Sequence, residues 1–463
     1  MPTISSEAIL RFVDRLERER VCLHGFELRL NGEVRAEGYY APFKKGQPHR
    51  MYAVSQSMVA LAVGLLVKAR RIQLNDRLAA YFGDIVTEAA DLRTQRVSIR
   101  DALRLASCHS RNTYREDVDD CYADSFFFAT PTHESSMRFF YETSSAQALG
   151  WLVERQMRRS LLDYLDERIF QPIGATDPKR WLTDPSGQTN AGTGLVMSLQ
   201  DLGKVAQMVL DNDGAILPQE YLTMATQRQI ATDSRDLPDE RCGYGYGFWR
   251  WRRGWAMYGV GGQMAICSPK DRALLCTIGN TRLDRTAKQR IYNAFAEEIL
   301  DKLTDACEPD PYMDRKLQRR LRRLSVLPAK HNLGLWDQAR RIYEMEPNQA
   351  GLTHVVLQGY EVAFFWEDIT HCFRWEKWGQ NQIAWWPHTD DPAIISAGLD
   401  SEGCLHVHCQ IIDDAPCGIE ICVAERWEGA SVLLRHSSNP RTNRYEGLFW
   451  GKRTERIEDY RSV

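Results

Sequence analysis

Hydrophobic positions in the amino-terminal part of the chain follow two different periods. Ile9, Leu10, Val13 and Leu16 recur at helical spacing within Ser6 to Glu19, which predicts an amphipathic helix. Val21 to Leu30 and Glu33 to Tyr40 read as strands flanking Asn31-Gly32, the pair best suited to a tight hairpin because both turn positions need a positive φ. Val54 to Ala69 is apolar on nearly every face, so it is expected to be a buried helix. Further helices are expected at the start of Val97 to Asp119, over Gln147 to Arg155 and over Leu199 to Leu210. Short strands with glycine-rich turns return from Gly243 to Gly279, and Lys288 to Leu303 reads as a closing amphipathic helix. Strands at both ends with helices between them predict an α/β (α+β) domain: an antiparallel sheet built from the two ends, flanked by helices and carrying an all-helical insertion.

The pattern changes after Leu303. Pro309 and Pro311 interrupt the chain, and Asp314 to Leu324 is a short basic stretch with Arg315, Lys316, Arg319, Arg320, Arg322 and Arg323, expected to be a solvated linker helix. From Ala339 onward short alternating strands predominate, rich in aromatic residues such as Trp366, Trp375, Trp378, Trp385, Trp386, Trp427 and Trp450. This predicts a small all-β barrel or sandwich. The expected division is therefore a first domain over 1–303, a linker helix over 304–325 and a β-domain over 326–463.

Bulk composition narrows the function. A net charge of -3 argues against a nucleic-acid partner. The longest apolar run, Met58 to Val67, is too short to span a bilayer, and no basic segment followed by an apolar one opens the chain. Twelve cysteines without such a leader read as reduced thiols, so a cytoplasmic location is expected.

Several segments then carry a family likeness: Tyr52-Ala53-Val54-Ser55-Gln56-Ser57 opening the buried helix, Leu74-Asn75-Asp76 after it, Val97-Ser98-Ile99-Arg100-Asp101-Ala102-Leu103, Tyr141-Glu142-Thr143-Ser144 before a helix, Gly192-Thr193-Gly194, Gly243-Tyr244-Gly245-Tyr246-Gly247, and Met257-Tyr258-Gly259-Val260-Gly261-Gly262. In this order they resemble the penicillin-binding-protein and class C β-lactamase type of serine hydrolase over roughly the first 300 residues. The C-terminal region is similar to the lipocalin-like appendage of some members. The resemblance implies acylation of a serine by an amide, ester or lactam. A lysine three residues on shares the serine's helix face and takes its proton, a tyrosine shuttles protons, and a strand edge helps form an oxyanion hole.

The departures fall on the chemistry. Ala53 occupies the nucleophile position and Gln56 the lysine position; neither supplies a nucleophile or a base. Losing the serine alone costs on the order of a million-fold in kcat in a protease. Met257-Tyr258-Gly259 replaces Lys-Thr-Gly, and Thr143 stands where many members have Asn. Tyr141 is retained. Ser55, Thr143, Met257, Tyr258, Gly259 and Val260 are expected around a ligand, with the backbone N–H groups of residues 53 and 260 as an oxyanion-hole-like pair. The expected function is a ligand-binding or regulatory homologue that has lost acyl-enzyme chemistry. Its ligand would be a small molecule or peptide bearing a carbonyl or carboxylate. Two alternatives stand beside it: an active hydrolase or acyltransferase, through Ser55 or Ser57 or with Ala53 and Gln56 as engineered substitutions, and a protein-interaction scaffold acting through the C-terminal domain. No cofactor and no metal are expected. Cys404, His406 and His408 do share a strand face, but they lack the fourth ligand a structural zinc normally takes. His109, Glu116, Asp117, Asp119, Asp120, His133 and Glu134 are expected near the cleft rim, as a ligand-selecting edge or a solvated acidic loop. Tyr244, Tyr246, Phe248, Trp249 and Trp251 are candidates to stack on a ligand or to fill the core.

Overall fold

Asn31 and Gly32 take φ values of 55° and 86°, and the chain reverses there as the dipeptide demands. Strand Leu23–Leu30 pairs antiparallel with Glu33–Tyr39 on one side and with Ala273–Gly279 on the other. This is a computed structural model; it describes residues 2–86, 90–115, 119, 121–329, 337–366, 370–375, 382–385, 392–412, 418–436 and 446–455. The chain divides into two units, Met1–Leu324 and Ser325–Val463.

In the first unit a six-stranded sheet runs in the order Glu33–Tyr39, Leu23–Leu30, Ala273–Gly279, Gln263–Ser268, Gly254–Gly259, Trp249–Trp251. The amino-terminal hairpin thus joins a meander from far along the chain, and the helical segments lie between them in sequence. Helix Ser6–Arg18 begins at a Ser5 cap and buries Ile9, Phe12, Val13 and Leu16; Phe12 meets Phe26 of the sheet edge-on at 5.6 Å. Helix Val54–Lys68 is buried from Val54 to Leu66. It needs Gly64, because a Cβ there would lie 2.5 Å from the Tyr221 ring, whose hydroxyl donates to the Ala60 carbonyl at 2.6 Å. Helix Ser144–Met157 packs beside it in the same core.

Helix Pro311–Leu321, expected as a solvated linker, is docked on Ser6–Arg18 instead. Arg320 pairs with Asp14 at 3.1 Å and with Glu17, Ser6 donates to Asp314 at 2.6 Å, and Leu317 and Leu324 are buried. The first unit therefore runs to Leu324, past the expected boundary at 303. The apolar stripe Leu317, Leu321, Leu324 was the available signal, masked by the arginines around it.

The second unit holds a ten-stranded antiparallel sheet that closes nearly into a barrel. Its order is Thr370–Arg374, Glu361–Trp366, Leu352–Gln358, Arg341–Met345, Gly447–Thr454, Gly429–His436, Gly418–Arg426, Leu405–Ile411, Pro392–Leu399, Gln382–Trp385. Alternate residues such as Val355, Leu357, Phe364, Ile395, Val407, Ile421 and Val432 fill one core with Trp366 and Trp375. Trp427 and Trp450 are exposed. Trp378 and Trp386 lie outside the described residues.

Candidate functional site

The site forms where the head of helix Val54–Lys68 meets the end of strand Gly254–Gly259, past the short edge strand Trp249–Trp251. Tyr52 turns the chain into the helix with a φ of 47°, and its ring sits between the guanidinium groups of Arg282 at 4.4 Å and Arg50 at 4.8 Å. Gly259 lies directly against this turn. A Cβ at 259 would come within 2.0 Å of the Met51 carbonyl oxygen and 3.3 Å of the Ala53 nitrogen, so only glycine permits this approach. Among the described residues, the N–H groups of Ala53 and Val260 donate no backbone hydrogen bond. Both are therefore available to a carbonyl oxygen, as an oxyanion hole requires.

Ala53 is the first residue before the helix and brings no side-chain hydrogen bond to its cap. One turn on, Gln56 is 4% exposed, and its Nε2 donates to the Tyr141 hydroxyl at 3.3 Å. Its Oε1 is buried without a partner among the described residues. The Tyr141 ring lies on Trp249, centroids 5.5 Å apart and planes inclined by 28°. Burial pushes the Tyr141 phenol far above its ordinary range, so it stays protonated at neutral pH.

Two other serines share this helix, and both hydroxyls are engaged away from Tyr141. Ser55 Oγ accepts from the Leu195 N–H at 3.0 Å, and Ser57 Oγ donates to the Gly247 carbonyl at 2.5 Å. Both residues are fully buried. Ser55 is thus corrected from a ligand contact to a tie between helix and strand. Met257 is corrected likewise: strand alternation turns its side chain into the core, where it is 0% exposed, and turns Tyr258 the other way. Thr143 precedes helix Ser144–Met157, with its hydroxyl bonded to that of Tyr114 at 2.9 Å and its N–H held by Asn112 at 2.7 Å.

Tyr258 reveals a cation that the sequence did not signal. The Lys288 ammonium sits 3.5 Å from the Tyr258 ring centroid and 5.3 Å from that of Trp249, and it is ion-paired with Glu240. Burial brings the Lys288 ammonium down to about 8 although Glu240 opposes the shift. Burial likewise pushes the Tyr258 phenol up to about 12. Arg235 reaches Glu240 at 3.4 Å and lies 5.7 Å from the Trp249 centroid. Tyr141, Trp249 and Tyr258 thus form an aromatic wall, backed by the pair of Lys288, from helix Ala287–Ala294, with Glu240, from the short helix Pro238–Cys242. Glu142, also unforeseen, is a buried carboxyl bonded by Ser145 and Ser107, and burial raises it.

The expected rim separates. His109 is buried, with Nε2 on the Phe126 carbonyl at 2.9 Å, and belongs to the packing. His133 meets Thr132 at 2.7 Å, and the Asp119 carboxylate accepts from the Arg115 N–H at 2.6 Å. Glu116, Asp117 and Asp120 lie outside the described residues. Tyr244, Tyr246, Phe248 and Trp251 join Trp249 as buried residues.

Chemically, the helix head leaves the Ala53 N–H against the Gly259 backbone, and Gln56 beside Tyr141. Residue 53 offers no atom to attack a carbonyl, and residue 56 is an amide without basicity.

A family model described as Beta-lactamase matches residues 26–291. The chain is 25% identical over 234 residues to a 6-aminohexanoate-dimer hydrolase of Paenarthrobacter ureafaciens, a match covering 47% of this chain and 59% of that protein. The chain thus spans less than two thirds of that relative's length. Among solved structures, the D-amino acid amidase from Ochrobactrum anthropi SV3 complexed with L-phenylalanine superposes with a TM-score of 0.51 at 16% identity, covering 64% of this chain and 99% of the amidase. The octameric penicillin-binding protein homologue from Pyrococcus abyssi gives a TM-score of 0.51 at 16% identity and covers 96% of this chain and 99% of its own.

Proposed function

Because this chain belongs to the β-lactamase family of serine hydrolases, we propose that it keeps the family's cleft as a binding site and has lost acyl-enzyme chemistry. The observation that carries this reading is the coupling of two substitutions. Ala53 removes the attacking atom, and Gln56 fills the base position with a neutral amide bonded to Tyr141. The ligand is a small molecule or peptide whose carbonyl or carboxylate oxygen accepts from the N–H groups of Ala53 and Val260. The names of the relatives, an amidase and a dimer hydrolase, favour an amide-containing ligand. The second unit is read as lipocalin-like. No helix among the described residues is long and apolar enough to cross a membrane.

The test is covalent labelling. Intact mass after incubation with a fluorophosphonate or a penicillin should show no adduct at the site, and the Ala53→Ser/Gln56→Lys double variant should acquire one. An adduct on Ser55 or Ser57 of the unsubstituted protein would establish the active-hydrolase reading and end this one. The buried hydroxyls of those two serines, each already bonded, support the first outcome.

A second reading, docking of a protein partner on the second unit, is favoured by the exposure of Trp427 (96%), Leu448 (64%) and Trp450 (52%). Loss of pulled-down partners in Leu448→Ser/Trp450→Ser would support it; an unchanged partner list would count against it.

A further inference from the structure

Helix Pro311–Leu321 gives one side to the first unit and the other to solvent. At the α-helical period, Asp314, Leu317, Arg320 and Leu324 fall on one side. Leu317 and Leu324 are buried there, Arg320 pairs with Asp14 and Glu17, and Asp314, the helix's own carboxylate, accepts from Ser6 at 2.6 Å. The opposite side carries Tyr312, Arg315, Lys316, Arg319, Arg322 and Arg323 within about 120° of arc. The last two continue the helical path, their N–H groups donating to the Gln318 and Arg320 carbonyls at 3.2 and 3.1 Å. All six side chains are exposed, Tyr312 to 61%.

Unlike Arg320, the five outward cations form no ion pair among the described residues. Arg315, Arg319 and Arg323 stand four residues apart, a spacing at which like charges repel and destabilise a helix. The helix forms nonetheless, because its inner side is docked and Asp310 accepts from the N–H groups of Tyr312 and Met313 at its start. An anionic surface laid along the ridge would relieve that repulsion.

We propose that this ridge docks the protein on an anionic lipid surface. Charge complementarity names the partner: each Lys or Arg held close to an anionic leaflet strengthens binding by about fivefold. Tyr312 stands among the cations, and tyrosine suits the headgroup layer because its ring is apolar and its hydroxyl polar. The apolar side, which in a free amphipathic helix would enter the acyl region, is already buried in the first unit, so the contact is electrostatic and reversible. A polynucleotide is the poorer match among polyanions. Proteins track its backbone with a groove, whereas these side chains stand on one convex ridge about 16 Å long.

The full-length protein should be sedimented with vesicles of phosphatidylcholine and phosphatidylserine, and with vesicles of phosphatidylcholine alone. Retention is expected on the first and not on the second, and it should fall steeply as added salt shortens the screening length below about 8 Å. Arg315→Gln/Arg319→Gln/Arg323→Gln should weaken it on the order of a hundredfold. Arg71→Gln/Lys270→Gln/Arg285→Gln, which makes the same change of net charge at exposed cations outside this helix, should weaken it by less than about threefold. Equal retention on both vesicles, retention on neither, or an equal loss in the two triple variants would overturn the proposal. So would single-stranded poly(U) that binds more tightly than the phosphatidylserine vesicles and is lost in the ridge variant, because the ridge would then serve a nucleic acid.

Discussion

Single residues hold the evidence about chemistry. Gln56 has a buried Oε1 with no partner among the described residues, and burying such an acceptor costs about 1–3 kcal/mol. Gln56→Met should therefore match or exceed the parent stability in urea denaturation, despite the lost bond to Tyr141. A fall beyond about 1 kcal/mol would mean the amide is a net structural asset. Gly259 is the opposite case. Gly259→Ala drives a methyl into the Met51 carbonyl, and should cost about 2 kcal/mol or more while displacing the strand edge that carries the Val260 N–H. Calorimetry, with a ligand-binding assay beside it, checks both effects; an unperturbed variant would show that strand and helix head are not in contact. Ala53, Gln56 and Tyr141 were legible in the sequence because a family motif has fixed spacing. The orientations of Ser55 and Met257 were not, since a hydroxyl's partner and a strand's inward face depend on distant segments.

At the scale of elements, the hairpin, the buried helix and the meander follow from turn residues and hydrophobic period. The helix Pro311–Leu321 does not. Its charge pattern describes the solvent face, whereas its docking rests on Leu317, Leu324 and the ion pairs of Arg320 with Asp14 and Glu17. Leu317→Ala should lower stability by about 2–3 kcal/mol, whereas Arg320→Ala should cost no more than about 1 kcal/mol because the pair is partly solvated. Equal effects in chemical denaturation, or none from Leu317→Ala, would return the segment to the status of a free linker.

For the whole first unit, one buried cluster sets a pH dependence. His49 is fully buried, its Nε2 3.1 Å from Nδ1 of His24, whose ring stacks on Phe43 at 3.7 Å. Burial lowers the His49 imidazole to about 4 from an ordinary 6.5. Between those values the unfolded chain binds the proton and the folded one does not. Stability is thus fully present above the unfolded value and is lost as pH falls toward the folded one. The contribution of His49 should shrink by roughly 2 kcal/mol between pH 7 and pH 5. Urea midpoints of the parent and of His49→Gln over that range check this; parallel curves would exclude it.

The sequence by itself determined the family, the two-part architecture and the identity of the altered motif, because these depend on local period, turn chemistry and motif spacing. Tertiary structure alone decided the rest: that Gln56 reaches Tyr141, that Lys288 and Glu240 back the aromatic wall, and that the basic helix belongs to the first unit. Each of those joins residues far apart in the chain, and sheet register or helix docking, which no local pattern encodes, sets their separation.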